Sequence, residues 1–366
     1  MSLVIADDLS GAAEMAGIAW QSGLNVKIIS GNGRYDREEE DVLVINTESR
    51  NMPEIEAANT VMNVLKSFGD LDGADLFKKT DSLLRGPVKA EILTLLACSP
   101  YTSALLVPAN PSKGRRISAG KYFIGTMPLE KTEYRHDPEY PRTSSDIRVL
   151  INAGSDEVET GEFDWDHIEG KILVPDQNSL KDISALLEQN IAPGILPAGG
   201  ADFFREWLFS LHQPEKNIKT ESLAYPGNGC FIFGSYAAAN RKALGLLKQN
   251  HYEIFTLGDK TIPGIDDGRV VLKMQDQFEE DAERRDFLLD KLTGIASELA
   301  ETKERALHFL VTGGRTASLF CRKMAWSQFM VRGRYDEGVV TLQPGESEHL
   351  ITIKPGSYDW PEELLK

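Results

Sequence analysis

The chain has 366 residues, a formal net charge of −16 and three cysteines, Cys98, Cys230 and Cys321. An acidic chain is a poor partner for nucleic acid, which clustered Lys and Arg bind, and the wide cysteine spacing excludes a zinc pattern and points to a reducing, cytoplasmic setting without disulfides. No apolar run approaches the roughly 20 residues of a membrane span; the opening residues read as a strand, so no signal peptide is expected, and at about 150 residues per domain two domains are expected.

The first predicted element is a strand, Leu3-Val4-Ile5-Ala6, that ends in Asp7-Asp8 and passes into a helix with Ser10 as N-cap. Two carboxylates at the carboxyl end of a strand suit hydroxyl binding, proton abstraction or a Mg²⁺ ion. An Asx turn, with Asp8 capping the helix and Asp7 solvated, accounts for the same residues. Strands at 26–29, 42–45, 76–78 and 104–107 alternate with helices at 53–68 and 88–96. Such alternation predicts an α/β fold with a mostly parallel sheet flanked by helices. Gly31-Asn32-Gly33-Arg34 lacks the third glycine of a dinucleotide fingerprint and reads as a surface turn.

The run from Phe77 to Pro87 sets Asp81, Ser82 and Arg85 in a turn between strand and helix. Arg85 could hold a carboxylate through its planar fork while Asp81 and Ser82 take hydroxyls; an intraloop Asp81–Arg85 ion pair is the plainer reading. A Pro-bounded turn then carries Lys113, Gly114, Arg115 and Arg116, either an anion site or a solvated basic loop. Residues 117–146 lack helical periodicity and read as a hairpin and a long binding loop or lid, with His136 facing solvent. A strand at 171–174 and helices at 179–189 and 201–211 extend this half. Ala198-Gly199-Gly200 fits a phosphate-like turn or a plain strand-to-helix connection, and 213–229 reads as the linker.

The second half opens with a strand at 230–233 that runs into Gly234-Ser235 and a helix at 237–249, where backbone N–H groups can receive a phosphate. Strands at 254–257 and 270–273 follow, then a charged helix at 281–301 whose ion pairs carry no functional signal. The strand at 308–311 leads into Gly313-Gly314-Arg315-Thr316, in the order that builds a phosphate cradle. A last strand, 350–353, enters the turn Lys354-Pro355-Gly356-Ser357-Tyr358-Asp359, and no Walker A sequence occurs anywhere.

In this order, Asp-Asp-Leu-Ser-Gly-Ala, Lys-Lys-Thr-Asp-Ser-Leu-Leu-Arg-Gly, Pro-Ala-Asn-Pro-Ser-Lys-Gly-Arg, Gly-Ser at 234–235 and Gly-Gly-Arg-Thr-Ala resemble the four-carbon acid sugar kinase family over nearly the whole chain. The resemblance implies an acid-sugar domain at 1–221, a nucleotide domain at 228–366 and an active site in the interdomain cleft. It implies phosphorylation of threonate, erythronate or 3-oxo-tetronate by ATP with Mg²⁺. Asp7, Asp8, Asp81, Arg85, Gly114 and Arg115 fall on the substrate side; of the carboxylates Asp8, rather than Asp81, is expected as catalytic base, and Arg85 is expected on the substrate carboxylate. Ser235, Gly313, Gly314, Thr316 and Gly356 fall on the nucleotide side. Members usually carry an acidic residue where this chain has Arg315, and their last turn is typically Lys-Ser-Gly-Gly-Phe-Gly, so no metal ligand is assigned. The expected partners are an acid sugar and ATP, without nucleic acid or membrane, and a homodimer stays open. The competing readings are a non-catalytic acid-sugar binder and an aspartyl-phosphate phosphatase; the latter needs a second Asp two residues on, where this chain has Leu9.

Overall fold

The computed structural model describes residues 1–31, 40–68, 74–137, 139–188, 194–212, 229–234, 238–258, 269–275, 282–301, 306–336, 338–356 and 358–366. Nearly all of the expected linker, Ser235 and Ser357 lie outside the described residues. Two units form: Met1–Asp7, Ser22–Asn25 and Gly31–Asn217 make one, and Asp8–Gln21, Val26–Ser30 and Ile218–Lys366 make the other.

In chain order the elements begin with β1 (Ser2–Ala6), α1 (Leu9–Gln21), β2 (Val26–Ser30), β3 (Val42–Asn46), α2 (Glu54–Phe68), β4 (Asp75–Lys79), α3 (Val88–Cys98) and β5 (Ser103–Val107). Then come β6 (Arg115–Ser118), β7 (Lys121–Ile124), β8 (Met127–Pro128), α4 (Ile147–Leu150), β9 (Val158–Thr160), β10 (Ile172–Val174), α5 (Leu180–Glu188), β11 (Ile195–Gly199) and α6 (Ala201–His212).

In the first unit the strands run β3-β1-β4-β11-β5-β10-β9, and the pairs are parallel. A parallel sheet covered on both faces requires strands apolar throughout rather than alternating. Leu3-Val4-Ile5 and Val42-Leu43-Val44-Ile45 meet that requirement and are buried. The ring of Phe77 on β4 meets Phe204 and Trp207 of α6 at centroid distances of 5.0 and 5.1 Å. A Cβ on Gly199 would lie 2.1 Å from the carbonyl oxygen of Val107, and one on Gly200 2.6 Å from that of Pro108. These glycines let the β11–α6 connection press against the end of β5, which favours the strand-to-helix reading. Strands β6, β7 and β8 form an antiparallel hairpin. After it a loop crosses to the end of β3, where the Tyr140 hydroxyl donates to the Arg50 carbonyl at 2.5 Å.

The second unit continues with β12 (Gly229–Phe233), α7 (Ala238–Gln249), β13 (Glu253–Thr256), β14 (Val270–Lys273), α8 (Ala282–Glu301), β15 (His308–Thr312) and α9 (Gly314–Lys323). It ends with β16 (Gln328–Asp336), β17 (Val339–Pro344) and β18 (Leu350–Lys354). Strands β13-β14-β12-β15-β18 are parallel, then β17, β16 and β2 follow as an antiparallel extension. The long hairpin of β16 and β17 was not anticipated. Helix α1 lies against it closely: a Cβ on Gly17 would come 2.6 Å from Val340 Cγ2. Phe231, Phe233, Tyr252 and Trp360 share one core, and the Trp360 indole N–H donates to Thr312 Oγ1 at 3.1 Å.

His308 is buried in β15, with Nε2 2.6 Å from Thr352 Oγ1. Burial pushes its pKa down to about 4. The unfolded chain takes up a proton near 6.5, whereas the folded one does not until about 4, so this stability is complete above 6.5 and is lost as pH falls. We expect urea-unfolding midpoints to drop between pH 6.5 and 4, by roughly 3 kcal/mol in all, and the drop to shrink in His308→Gln. An equal fall in that variant would assign it to other groups.

Candidate active site

In the first unit, the loops after β1, β3 and β4 meet at the carboxyl ends of parallel strands, where open α/β sheets place ligands. Asp7 follows β1 and is buried; Arg50 follows β3 and grips it bidentately, with Nε to Oδ2 at 2.7 Å and Nη2 to Oδ1 at 3.0 Å. Asp81 follows β4 and is likewise buried; Arg85 grips it with Nε to Oδ2 at 2.9 Å and Nη2 to Oδ1 at 2.8 Å. Asp81 Oδ2 also accepts the backbone N–H groups of Leu83 and Arg85, so the carboxylate winds its own turn around itself. Gly86 then passes so close to the Arg50 carbonyl that a Cβ would lie 2.8 Å from it. Burial would raise both carboxyls, but Arg50 with Lys78 and Lys79 holds Asp7 below its usual range, and Arg85 with Arg50 holds Asp81 well below. Both pairs therefore stabilise the fold above the ordinary value of 3.8 and lose that contribution only as pH falls below it.

Further cations and hydroxyls complete this cluster. Arg115 Nη1 donates to Ser82 Oγ, and Nη2 lies 3.4 Å from the Tyr134 hydroxyl. The Tyr122 hydroxyl donates to the Ser82 carbonyl at 2.6 Å. Arg85 Nη1 reaches Asp137 Oδ2 at 3.4 Å, and Arg142 is buried beside the Tyr140 ring, 5.7 Å from its centroid. Beneath them Lys78 and Glu91, both fully buried, form an ion pair at 3.1 Å, and Ser49 Oγ donates to Glu91 at 2.5 Å.

The second unit uses Asp8 differently. Its Oδ1 accepts the Gly11 N–H at 2.7 Å and its Oδ2 the Ser10 hydroxyl at 2.6 Å, so Asp8 caps α1 and the expectation of a Ser10 cap is corrected. A Cβ on Gly314 would stand 2.3 Å from Asp8 Oδ2 and 2.9 Å from Ser10 Oγ, so glycine at the start of α9 leaves room for that carboxylate. Gly313 takes the N-cap position of α9 at φ +91° without a side-chain cap bond, and its N–H donates to the Lys354 carbonyl at 2.7 Å. Thr316 does not cap the helix: its hydroxyl lies where a Cβ on Gly234 would be. Lys354 is buried, which pushes its pKa down to about 7, and Nζ donates to the carbonyls of Pro355 and Tyr358, tying the last turn. Gly356 is exposed in that turn and has open space beside it.

Sequence reasoning thus named Asp7, Asp81, Arg85 and Arg115, which the structure brings together in one unit, and Asp8, Gly313 and Gly314, which it brings together in the other. Gly114 adopts a left-handed φ of +68° after the Pro111 turn, with nothing within 4 Å of its missing side chain. For Asp7 the solvated alternative does not hold, since the residue is 1% exposed. For Asp81 and Arg85 the intraloop ion pair is the arrangement found, and the Arg85 fork is taken by Asp81 rather than free for a carboxylate. Arg50 and Arg142 were missed: the partner of Arg50, Asp7, is 43 residues earlier in the chain, and Arg142 stands in a loop without periodicity, where only the fold brings it to Asp81 and Arg85. Among the described residues no three His, Cys, Asp or Glu side chains converge on a metal position, and no helix is long and apolar enough to cross a membrane. Arg315 pairs with Asp286 of α8.

A family model described as a sugar-binding N-terminal domain matches residues 2–196. D-threonate kinase of Salmonella typhimurium is 34% identical over 150 residues, 41% of this chain and 36% of that protein. D-erythronate kinase of Heliobacterium modesticaldum is 31% identical over 164 residues, 42% and 36% of the two chains. For 3-oxo-tetronate kinase of Escherichia coli the figures are 30% over 161 residues, 42% and 40%. The chain thus spans about two fifths of the length of the curated relatives it matches. The solved structure of the Haemophilus influenzae protein HI1011, of family DUF1537, superposes with a TM-score of 0.71 at 17% identity, over 99% of this chain and 98% of that one. A Salmonella typhimurium LT2 protein gives 0.78 at 17% identity, over 99% and 97%. The mixed α/β fold is therefore shared along the whole chain.

Proposed function

The chain belongs to the family of the sugar-binding N-terminal domain, that of the four-carbon acid sugar kinases, and from that premise we propose that it transfers the γ-phosphoryl group of ATP to a hydroxyl of a four-carbon acid sugar. Phosphoryl transfer asks little covalent chemistry of a protein; it asks for positioning, a proton acceptor and cancellation of negative charge. The observation that carries the reading is the seat of Asp8, whose carboxylate lies against Gly314 at the start of α9. A proton acceptor is thereby set beside a helix start, where backbone N–H groups and the helix dipole favour phosphate.

In this reading Asp8 accepts the proton of the attacking hydroxyl, and its bonds to Ser10 and Gly11 fix the carboxylate in place. The acid sugar is held by the cluster of Asp7, Asp81, Arg85, Gly114 and Arg115, in which the paired carboxylates keep lone pairs for sugar hydroxyls. ATP is held by Gly313, Gly314 and Thr316, with Gly356 in the turn after β18; Ser235, the remaining residue of the nucleotide side, lies outside the described residues. When bound, ATP supplies the phosphoryl group. Mg²⁺ usually keeps several waters and takes one or two carboxylates plus phosphate oxygens. The described residues offer no larger donor set, so none is assigned to it and no step runs through it.

The test is a screen of D-threonate, D-erythronate and 3-oxo-tetronate for ADP release from ATP and Mg²⁺, with calorimetric titration of each ligand alongside. Release with at least one acid, and none without, is the expected result. Acid binding without turnover would favour the non-catalytic binder, and no binding of any acid would end the reading.

A further inference from the structure

Four guanidinium groups belong to the first-unit cluster, and three are already in use. Arg50 and Arg85 each spend Nε and Nη2 on one carboxylate, and Arg115 directs Nη1 to Ser82 and Nη2 towards Tyr134. Arg142 is the exception. Its side chain is 93% buried by a residue exposure of 7%, yet Nε has no hydrogen-bond partner. Its backbone N–H donates to the Tyr134 carbonyl at 2.9 Å, which pins the residue, and its Cζ lies over the Tyr140 ring at 5.7 Å from the centroid. The charges that act on it are those of Asp81, Arg85 and Asp137, so it belongs to this cluster and not to the outer surface. Burying a guanidinium fork without an acceptor is costly, and such a group is normally satisfied by a ligand or a partner.

The charge balance points the same way. Arg50, Arg85, Arg115, Arg142, Lys78 and Lys79 face Asp7, Asp81, Asp137 and Glu91, an excess of cations. Burial also disfavours the charged form of Arg142, a penalty that a bound anion would offset. Thr80 Oγ1, next to Asp81, is also buried without a partner, and the Ser82 and Tyr134 hydroxyls lie at Arg115. An unpartnered guanidinium Nε and an unpartnered hydroxyl in one cationic cluster match a ligand that carries both a carboxylate and hydroxyls.

We propose that Arg142 is the carboxylate anchor of this site and sets its preference for acids over neutral polyols, a role its geometry suits better than that of Arg85. The proposal rests on the acid-sugar reading above. It is tested on the full chain by calorimetric titration of wild type, Arg142→Gln and Arg142→Lys with D-threonate, D-erythronate and the uncharged polyol threitol, and with ATP as control.

Wild type should bind at least one acid more tightly than threitol. Arg142→Gln should weaken that acid by roughly 100-fold, the size of a lost charge-assisted bidentate contact, while threitol and ATP change little. Arg142→Lys keeps the buried charge and loses the fork, so it should recover part of the affinity; if the Gln variant does not fold, the Lys variant should still lose about tenfold for the acid alone. Unchanged acid affinity in a folded variant would overturn the proposal, and so would equal losses for acid and threitol, which mark a structural role. Failure of wild type to bind any acid would instead remove the acid-sugar reading itself.

Discussion

Replacing Asp8 by Asn is expected to lower kcat by about 10²–10⁴-fold, the range over which a positioned general base acts. Asparagine caps a helix about as well as aspartate, so α1 should stay capped through the side-chain oxygen that now receives the Gly11 N–H, and the melting temperature should hardly move. ATP affinity should stay within a few-fold of wild type. A companion change reaches the same carboxylate without touching its charge: Gly314→Ala would set a methyl group 2.3 Å from Asp8 Oδ2 and force it aside. Steady-state kinetics on both variants, beside thermal melts, separate the alternatives. Turnover near wild type in Asp8→Asn would leave Asp8 as a helix cap and nothing more.

The second large effect is on stability. Glu91 and Lys78 are both fully buried, and Lys78 Nζ lies 3.1 Å from Glu91 Oε1 without being aligned for a hydrogen bond. Glu91→Ala would strand a buried ammonium with no counter-charge at that distance, and removing one partner of a buried pair typically costs about 3–5 kcal/mol. Ser49 would lose its acceptor as well. Replacing both partners, Lys78→Met with Glu91→Leu, removes the charges together and should return stability to within about 1 kcal/mol of wild type. Urea-unfolding midpoints of the two single variants and the double measure this directly. A single-variant cost under about 1 kcal/mol, or a double variant worse than either single, would show that the pair is not an isolated unit.

Most strands of the first unit were legible because strands buried on both faces must be continuous apolar runs, as in Leu3-Val4-Ile5 and Val42-Leu43-Val44-Ile45, whereas β9 and β11 were not among the expected strands: β9 is three residues long, and a proline and a glycine break the run of β11. The hairpin of β16 and β17 was not, and the reason is visible in Gln328-Phe329-Met330-Val331-Arg332-Gly333-Arg334, where charges and a glycine interrupt the pattern. Register shifts occur between Val331 and Gly333 and between Arg334 and Asp336, so the strand holds no steady period of two. In the candidate site, the sequence showed carboxylates at strand ends because that signal is local. Arg50 carried none: its partner Asp7 is 43 residues earlier, and only the pairing of β3 with β1 brings them together. Asp7 shows the same limit from the other side, since neighbouring Asp8 turns to a helix cap while Asp7 turns to a distant arginine, and adjacency in sequence says nothing of that divergence.

Strand β2 and helix α1 belong to a unit whose other members are supplied by the last two fifths of the chain, and Ile29 finds its partner in Gln328. A ribosome adding 5–20 residues per second completes β2 roughly 15 to 60 seconds before the strand that will hold it. Residues 1–217 carry the seven described strands that run from β3 to β9 in the first unit and can condense as they emerge, while α1 and β2 must wait, tethered between β1 and β3. Expressing 218–366 alone would produce a sheet lacking one strand and the helix against β17, a candidate for rescue by a peptide of residues 8–30. Conversely, a gene cut after Asn217 would separate α1 and β2 from the rest of their unit and leave that half incomplete.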